Sequence, residues 1–242
     1  MLPTAAASVA NVIVTATAKA ARRRSDCRDA IEQIYRRPPH AVMSTLVYAP
    51  AMSATQADGS DQPVVVSRRR EYECPWFEVV VKDIRYPGQA RAHRHYSVQL
   101  NDWVAVLAVD GEGKIPLVRQ YRPALERVEL ELPAGAVRDA SPEETARREL
   151  LEETGYEADE LMQLGSIFTE AGRLTSRAWI YFAGHARRVV EPVPGAEEPL
   201  ECVVVTQTEL HAAIASGAFA VSGHVAAVGL ALIDGCLALP AG

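Results

Sequence analysis

The order of elements in this sequence predicts an α/β fold, with a mixed β-sheet packed between helices behind a small N-terminal β region. Three observations carry that expectation. Strand-like segments come first, one well-capped helix interrupts them, and two more helices close the chain. Strand and helix do not alternate regularly. No Gly-rich turn follows an early strand, as a dinucleotide-binding doubly wound fold requires. No internal repeat is visible.

Taken in order, residues 1 to 62 are expected to form a poorly ordered extension and linker. Within residues 1 to 25, Lys19, Arg22, Arg23 and Arg24 stand without any acid in an Ala/Val/Thr-rich background. That composition resembles a targeting segment, but no Ala-x-Ala cleavage site follows an apolar run, which favours a plain tail or an upstream start ahead of Met43 or Met52. Residues 63 to 100 are expected to be the β region and 101 to 238 the main domain. Trp76 to Ile84 is strand-like, with a turn at Tyr86-Pro87-Gly88. Strands are expected at Tyr96 to Leu100, Trp103 to Val109 and Ile115 to Tyr121, the last two joined through Asp110-Gly111-Glu112-Gly113. Val128 to Leu132 adds a short strand. After the central helix come strands at Leu164 to Thr169, Arg177 to Ala183 and Glu201 to Thr206. Helices at Gln207 to Ser216 and His224 to Asp234 follow.

The 242 residues are enough for one domain with a substantial core plus a tail. A formal net charge of -6 gives no reason to expect a nucleic-acid polymer as partner. No run approaches the roughly 18 to 20 apolar residues that span a bilayer. Cys27, Cys74, Cys202 and Cys236 match no paired zinc spacing and read as buried or idle thiols of a cytoplasmic protein. His93 and His95 lack a third ligand and are expected at the surface.

The central helix holds the chemistry. Ser141 can cap it, Pro142 suits its first turn, Glu144 can close a capping box, and Gly155 can supply the left-handed stop. Inward packing falls to Ala146, Leu150 and Leu151. Glu149 lies i,i+3 from Glu152 and i,i+4 from Glu153, so three carboxylates gather along one side near the negative end of the helix. Like charges at this spacing cost about a few tenths of a kcal/mol per pair. Arg148 can offset part of that through Glu152 or Glu144, and the remainder asks for a cation. An all-oxygen set without histidine or thiol suits magnesium or manganese. A solvated Glu/Arg-rich face is the plain alternative. Against it stands Glu131-Leu132-Pro133-Ala134-Gly135, which leads from a strand through a Pro/Gly turn into the capped helix and brings backbone groups toward the acids.

Arg148-Glu149-Leu150-Leu151-Glu152-Glu153-Thr154-Gly155-Tyr156, behind Gly135, resembles the signature of the Nudix hydrolases. The segment from Gly135 to Arg148 is one residue shorter than the family pattern, and Ala140-Ser141 stands where an early glutamate is usual. The resemblance implies a Nudix α/β/α sandwich. It implies magnesium, or manganese, held mainly by Glu149 and Glu153 with help from Glu152 and the carbonyl of Ala134. Arg148 resembles the partner that orients those glutamates.

Arg119-Gln120-Tyr121-Arg122-Pro123 and the Glu131 to Gly135 segment resemble the ADP-ribose pyrophosphatase branch. Thr169-Glu170-Ala171-Gly172 resembles its substrate loop, although Pro-Gly is usual where Ala171-Gly172 stands. Glu197-Glu198-Pro199-Leu200-Glu201 resembles the loop supplying a catalytic glutamate, with Glu198 the first choice and Glu197 the reserve. The implied reaction is hydrolysis of a nucleoside diphosphate compound, ADP-ribose to AMP and ribose 5-phosphate, by a homodimer using its N-terminal β region.

Arg122, at a strand end, is a candidate phosphate grip, with a surface salt bridge as the alternative. Trp76, Phe77 and Tyr121 are candidates for stacking on a base, core packing being the commoner role of a strand aromatic. His224 is expected to be a cap-region residue. Two other functions remain in play: hydrolysis of other nucleotide sugars or dinucleotides, and ligand binding without turnover by a Nudix-fold module.

Overall fold

The computed structural model describes residues 62 to 192 and 199 to 238. The expectations for the extension, and those for Glu197 and Glu198, lie outside the described residues. All described residues belong to one compact unit. No helix among them is long and apolar enough to cross a membrane.

Three strands form the N-terminal sheet: β1 (Val64–Glu73), β2 (Glu78–Arg85) and β3 (His93–Gln99), antiparallel in the order β1-β2-β3. Every residue of β1 is exposed. The strand expected from Trp76 starts two residues later, because a turn closed by the Cys74 N–H on the Phe77 carbonyl carries Trp76 and Phe77 outward. His93 and His95 lie on β3, His93 exposed and within 2.6 Å of Gln89 Oε1.

The centre is a mixed sheet. β4 (Trp103–Asp110) runs parallel to β10 (Arg177–Arg188), from Trp103 opposite Ala178 to Asp110 opposite Ala186. β9 (Met162–Phe168) and the short β8 (Tyr156–Glu157) pair antiparallel to β10, and β7 (Ala134–Ala136) pairs antiparallel to β4. A third sheet sets β5 (Lys114–Arg122) between β11 (Leu200–Thr206) and β6 (Arg127–Glu131). The helices are α1 (Pro142–Thr154), α2 (Gln207–Ser216) and α3 (Ser222–Ile233).

Alternation along β4 divides the core, since successive side chains point to opposite faces. Val104, Val106 and Ala108 join Tyr181 and Ala183 in the cluster that receives Ala146 and Leu150 of α1. Ala105 and Leu107 join Ala178 and Ile180 against Leu210 of α2 and Ala227, Val228 and Ala231 of α3. The sheet is thus covered on both faces, the expected α/β/α arrangement. Leu151 is only half-buried, whereas Thr145 and Thr154 are buried.

The termini of α1 follow the expected chemistry. Ser141 Oγ accepts from the Glu144 N–H, the Glu144 carboxylate accepts from the Ser141 N–H, and Gly155 adopts a left-handed φ of 74°. Ser141→Ala is expected to lower unfolding free energy by about 1 kcal/mol. Urea titration checks this, and an unchanged midpoint would assign the helix end to packing alone.

Several expectations need correction. The Pro/Gly turn before α1 is a bend at Pro133 followed by strand β7, because backbone groups there pair with β4. The strand aromatics are not core: Trp76 is 69% and Tyr121 is 53% exposed. Tyr121 shares the outward phase of β5 with exposed Arg119, while Val118 and Gln120 point inward. His224 does lie in the cap region as expected, third residue of α3 with its N–H donating to the carbonyl of the cap residue Val221, and it is buried there.

Candidate active site

α1 and β7 build the site together. The Ala134 N–H donates to Glu153 Oε2 at 2.9 Å. Glu149 packs so closely on Gly135 that a Cβ there would lie 2.1 Å from Glu149 Oε1, which explains why glycine stands at this position. Two carboxylates four residues apart therefore rest on one stretch of backbone. Arg148 holds their outer side, donating to Glu149 Oε1 at 2.8 Å and to Glu152 Oε2 at 3.4 Å. Glu152 faces outward and is half-exposed. Glu144, offered as the other partner of Arg148, is taken up by the cap.

Burial pushes the Glu153 carboxyl up to about 8, against the pull of the Ala134 N–H, and the charge of Glu149 adds to the rise. Burial raises Glu149 as well, with Arg148 pulling the other way. Two half-buried acids beside each other favour the presence of a cation or a proton. Among the described residues, no three acids, histidines or cysteines converge tightly enough to form a ready metal cluster. The donor chemistry is nonetheless all oxygen, which fits a hard divalent cation.

A cavity of about 390 Å³ opens onto Glu149, lined also by Arg148, Arg138, Asp139 and Thr145. Arg138, in the shortened segment before α1, places its guanidinium 5.7 Å from the centre of the Trp76 ring. Trp76 borders a neighbouring cavity of about 320 Å³ with Phe77, Gln99 and Asn101. Behind the acids, Arg122 forks onto Glu131, Nε to Oε1 at 2.7 Å and Nη2 to Oε2 at 2.6 Å. Glu131 is 1% exposed. Both charges act on Glu153, so this pair adjoins the acid cluster.

Ala134, Arg148, Glu149, Glu152 and Glu153 are thus brought together, with Arg122 alongside. Arg119 stands apart on the outer face of β5, paired with Glu201 at 3.1 Å. Gly172 lies in the turn after β9, a segment tied to β3 through Val98 rather than to α1. The sequence assigned no role to Glu131 or Asp102, and it did not show that His224, in the cap region, reaches Leu132 and Glu131. Asp102 accepts from the Arg177 N–H and from Trp179 Nε1, and its carbonyl accepts from the Val137 N–H, locking β7 and β10 to the start of β4. The alternation of Glu129 and Glu131 on one strand face, both buried, was the one available signal for Glu131.

A NUDIX domain model matches residues 100–221 of this chain, half its length. Over 96 residues the chain is 43% identical to an ADP-ribose pyrophosphatase of Bacillus subtilis (strain 168), covering 39% of this chain and 51% of that protein. It is 34% identical over 113 residues to a GDP-mannose pyrophosphatase of Yersinia enterocolitica serotype O:8 / biotype 1B (strain NCTC 13174 / 8081), covering 43% and 59%. The chain therefore spans little more than half the length of these curated relatives. A solved structure described as an ADP compounds hydrolase superposes with a TM-score of 0.61 at 22% identity, covering 73% of this chain and 97% of that one, a likeness of fold.

Proposed function

Because this chain belongs to the NUDIX family, we propose that it hydrolyses the pyrophosphate bond of a nucleoside diphosphate compound, with ADP-ribose, yielding AMP and ribose 5-phosphate, as first candidate. One observation carries the reading: Glu149 and Glu153 lie half-buried side by side on the Ala134-Gly135 backbone, with both carboxyls raised. Glu149, Glu153, Glu152 and the Ala134 carbonyl would hold magnesium, or manganese. When bound, a divalent cation neutralises diphosphate oxygens and makes water more acidic.

The chain's own groups do the rest. Arg148 keeps Glu149 and Glu152 oriented. Arg122, fixed by Glu131, grips a phosphate oxygen. Exposed Trp76, beside the Arg138 that lines the cavity, stacks on the base, whereas Arg119 and Gly172, the other expected substrate contacts, lie away from the acid cluster. Glu198, or Glu197 in its place, accepts a proton from the attacking water. Two copies assemble through the N-terminal sheet; light scattering showing monomer alone at micromolar concentration would remove that element.

The deciding assay is product analysis with ADP-ribose, GDP-mannose and dinucleotides, in magnesium and in EDTA. AMP release from ADP-ribose that EDTA abolishes is expected. Release of mannose 1-phosphate in preference would move the substrate within the same chemistry. Binding with no turnover of any compound would sink the hydrolase reading and leave a recognition module.

A further inference from the structure

The N-terminal turn of α3 places an imidazole directly behind the site. The Leu132 N–H donates to His224 Nδ1 at 3.0 Å. Nδ1 is then the acceptor, so the ring proton sits on Nε2. Nε2 lies 3.3 Å from Glu131 Oε2, the oxygen that also receives Arg122 Nη2. Trp103 lies across the ring at 5.3 Å and 33°, and Phe219 meets it edge-on at 6.3 Å. Gly223 permits that approach, since a Cβ there would come within 2.6 Å of the Trp103 ring.

We propose that His224 is a positioning residue: through its Nε2–H it fixes the Glu131 carboxylate, and Glu131 in turn fixes the Arg122 guanidinium that receives the substrate's phosphate. The last link rests on the role given to Arg122 above. A buried carboxylate bound only by one arginine can still rotate with it. A second donor from an immobile ring removes that freedom, so the fork points one way before substrate arrives. The ring serves as a neutral donor to the carboxylate that Arg122 also reaches. Burial holds the His224 imidazole down to about 4, in keeping with that state.

Two substitutions separate this relay from simple packing. His224→Asn keeps an acceptor near the Leu132 N–H and loses the donor to Glu131. His224→Gln sets an amide N–H near the lost Nε2 position. In His224→Asn, hydrogen exchange of the Arg122 Nε–H is expected to accelerate about 10-fold, the loss of one such bond. KM for ADP-ribose should rise by a similar factor with kcat changed far less. His224→Gln should restore most of both.

Equal effects of the two variants, or an unchanged Nε–H exchange in folded His224→Asn, would overturn the relay. Imidazole ¹⁵N shifts of the unaltered protein provide a test that needs no variant: a proton on Nδ1 would overturn it too. If the unaltered protein turns over nothing, the proposed function falls while exchange and tautomer still decide this inference.

Discussion

Glu153→Gln is expected to lower kcat by roughly 10²- to 10³-fold, the usual scale for removing one charge-stabilising group from a reaction centre, while making the metal-free protein more stable above neutral pH. The two effects share one cause. The folded carboxyl titrates at about 8, against about 4.3 in the unfolded chain. Between those values the folded state holds the proton more tightly, so stability from this group is full below about pH 4.3 and is lost as pH rises toward 8. The loss amounts to a few kcal/mol, since each pH unit carries about 1.4 kcal/mol. Glutamine has no such slope. Urea unfolding in EDTA should show the variant gaining on the native chain from pH 5 to pH 8, and magnesium should close the gap by stabilising the native chain alone. An equal difference at both pH values would mean that Glu153 is solvated and the buried-acid picture is wrong.

The second large effect comes from adding a single methyl group. Gly135→Ala would put a Cβ 2.1 Å from Glu149 Oε1 and 2.2 Å from its Cδ. Both are carboxylate atoms at the end of a side chain, so the side chain yields rather than the backbone. Stability should change by only about 1 kcal/mol, the low end for an inserted methyl. Activity should fall about 10²-fold, because Glu149 leaves both the Gly135 surface and the Arg148 pairing. Gly165→Ala, where the nearest atom is Leu230 Cδ1 at 3.6 Å, serves as the silent control. Steady-state kinetics beside a melting curve decide the matter: if both fall together, Gly135 is a folding residue and Glu149 was never displaced.

What the sequence made legible was local. Ser141, Pro142 and Glu144 specify the start of α1 and Gly155 its end, each through neighbours in sequence, and the helix begins and ends where they say. The strands β4 and β5 carry apolar runs long enough to stand out. β1 has no periodic signal because both its faces are exposed, so neither selection for burial nor for polarity alternates along it. β7 is Ala-Gly-Ala, with no strand propensity of its own; pairing with β4 alone makes it a strand. Tyr121 misleads because its apolar ring suggests burial while its register points it outward with Arg119. His224 meets Leu132 across 92 positions of chain, a contact that no window of sequence displays.

The parallel pairing of β4 with β10 also governs how the molecule can be made. All of α1, β5, β6 and β7 lies in the connection between those two strands. During synthesis the apolar edge Val104 to Ala108 is exposed while that whole connection emerges, and the central sheet closes only after Arg177–Arg188 has been delivered. A contact so distant in sequence makes slow, late closure and prolonged exposure of a sticky edge the natural hazards of this chain. Nascent chains stalled before β10 should therefore engage chaperones, and release from them should coincide with the arrival of that strand.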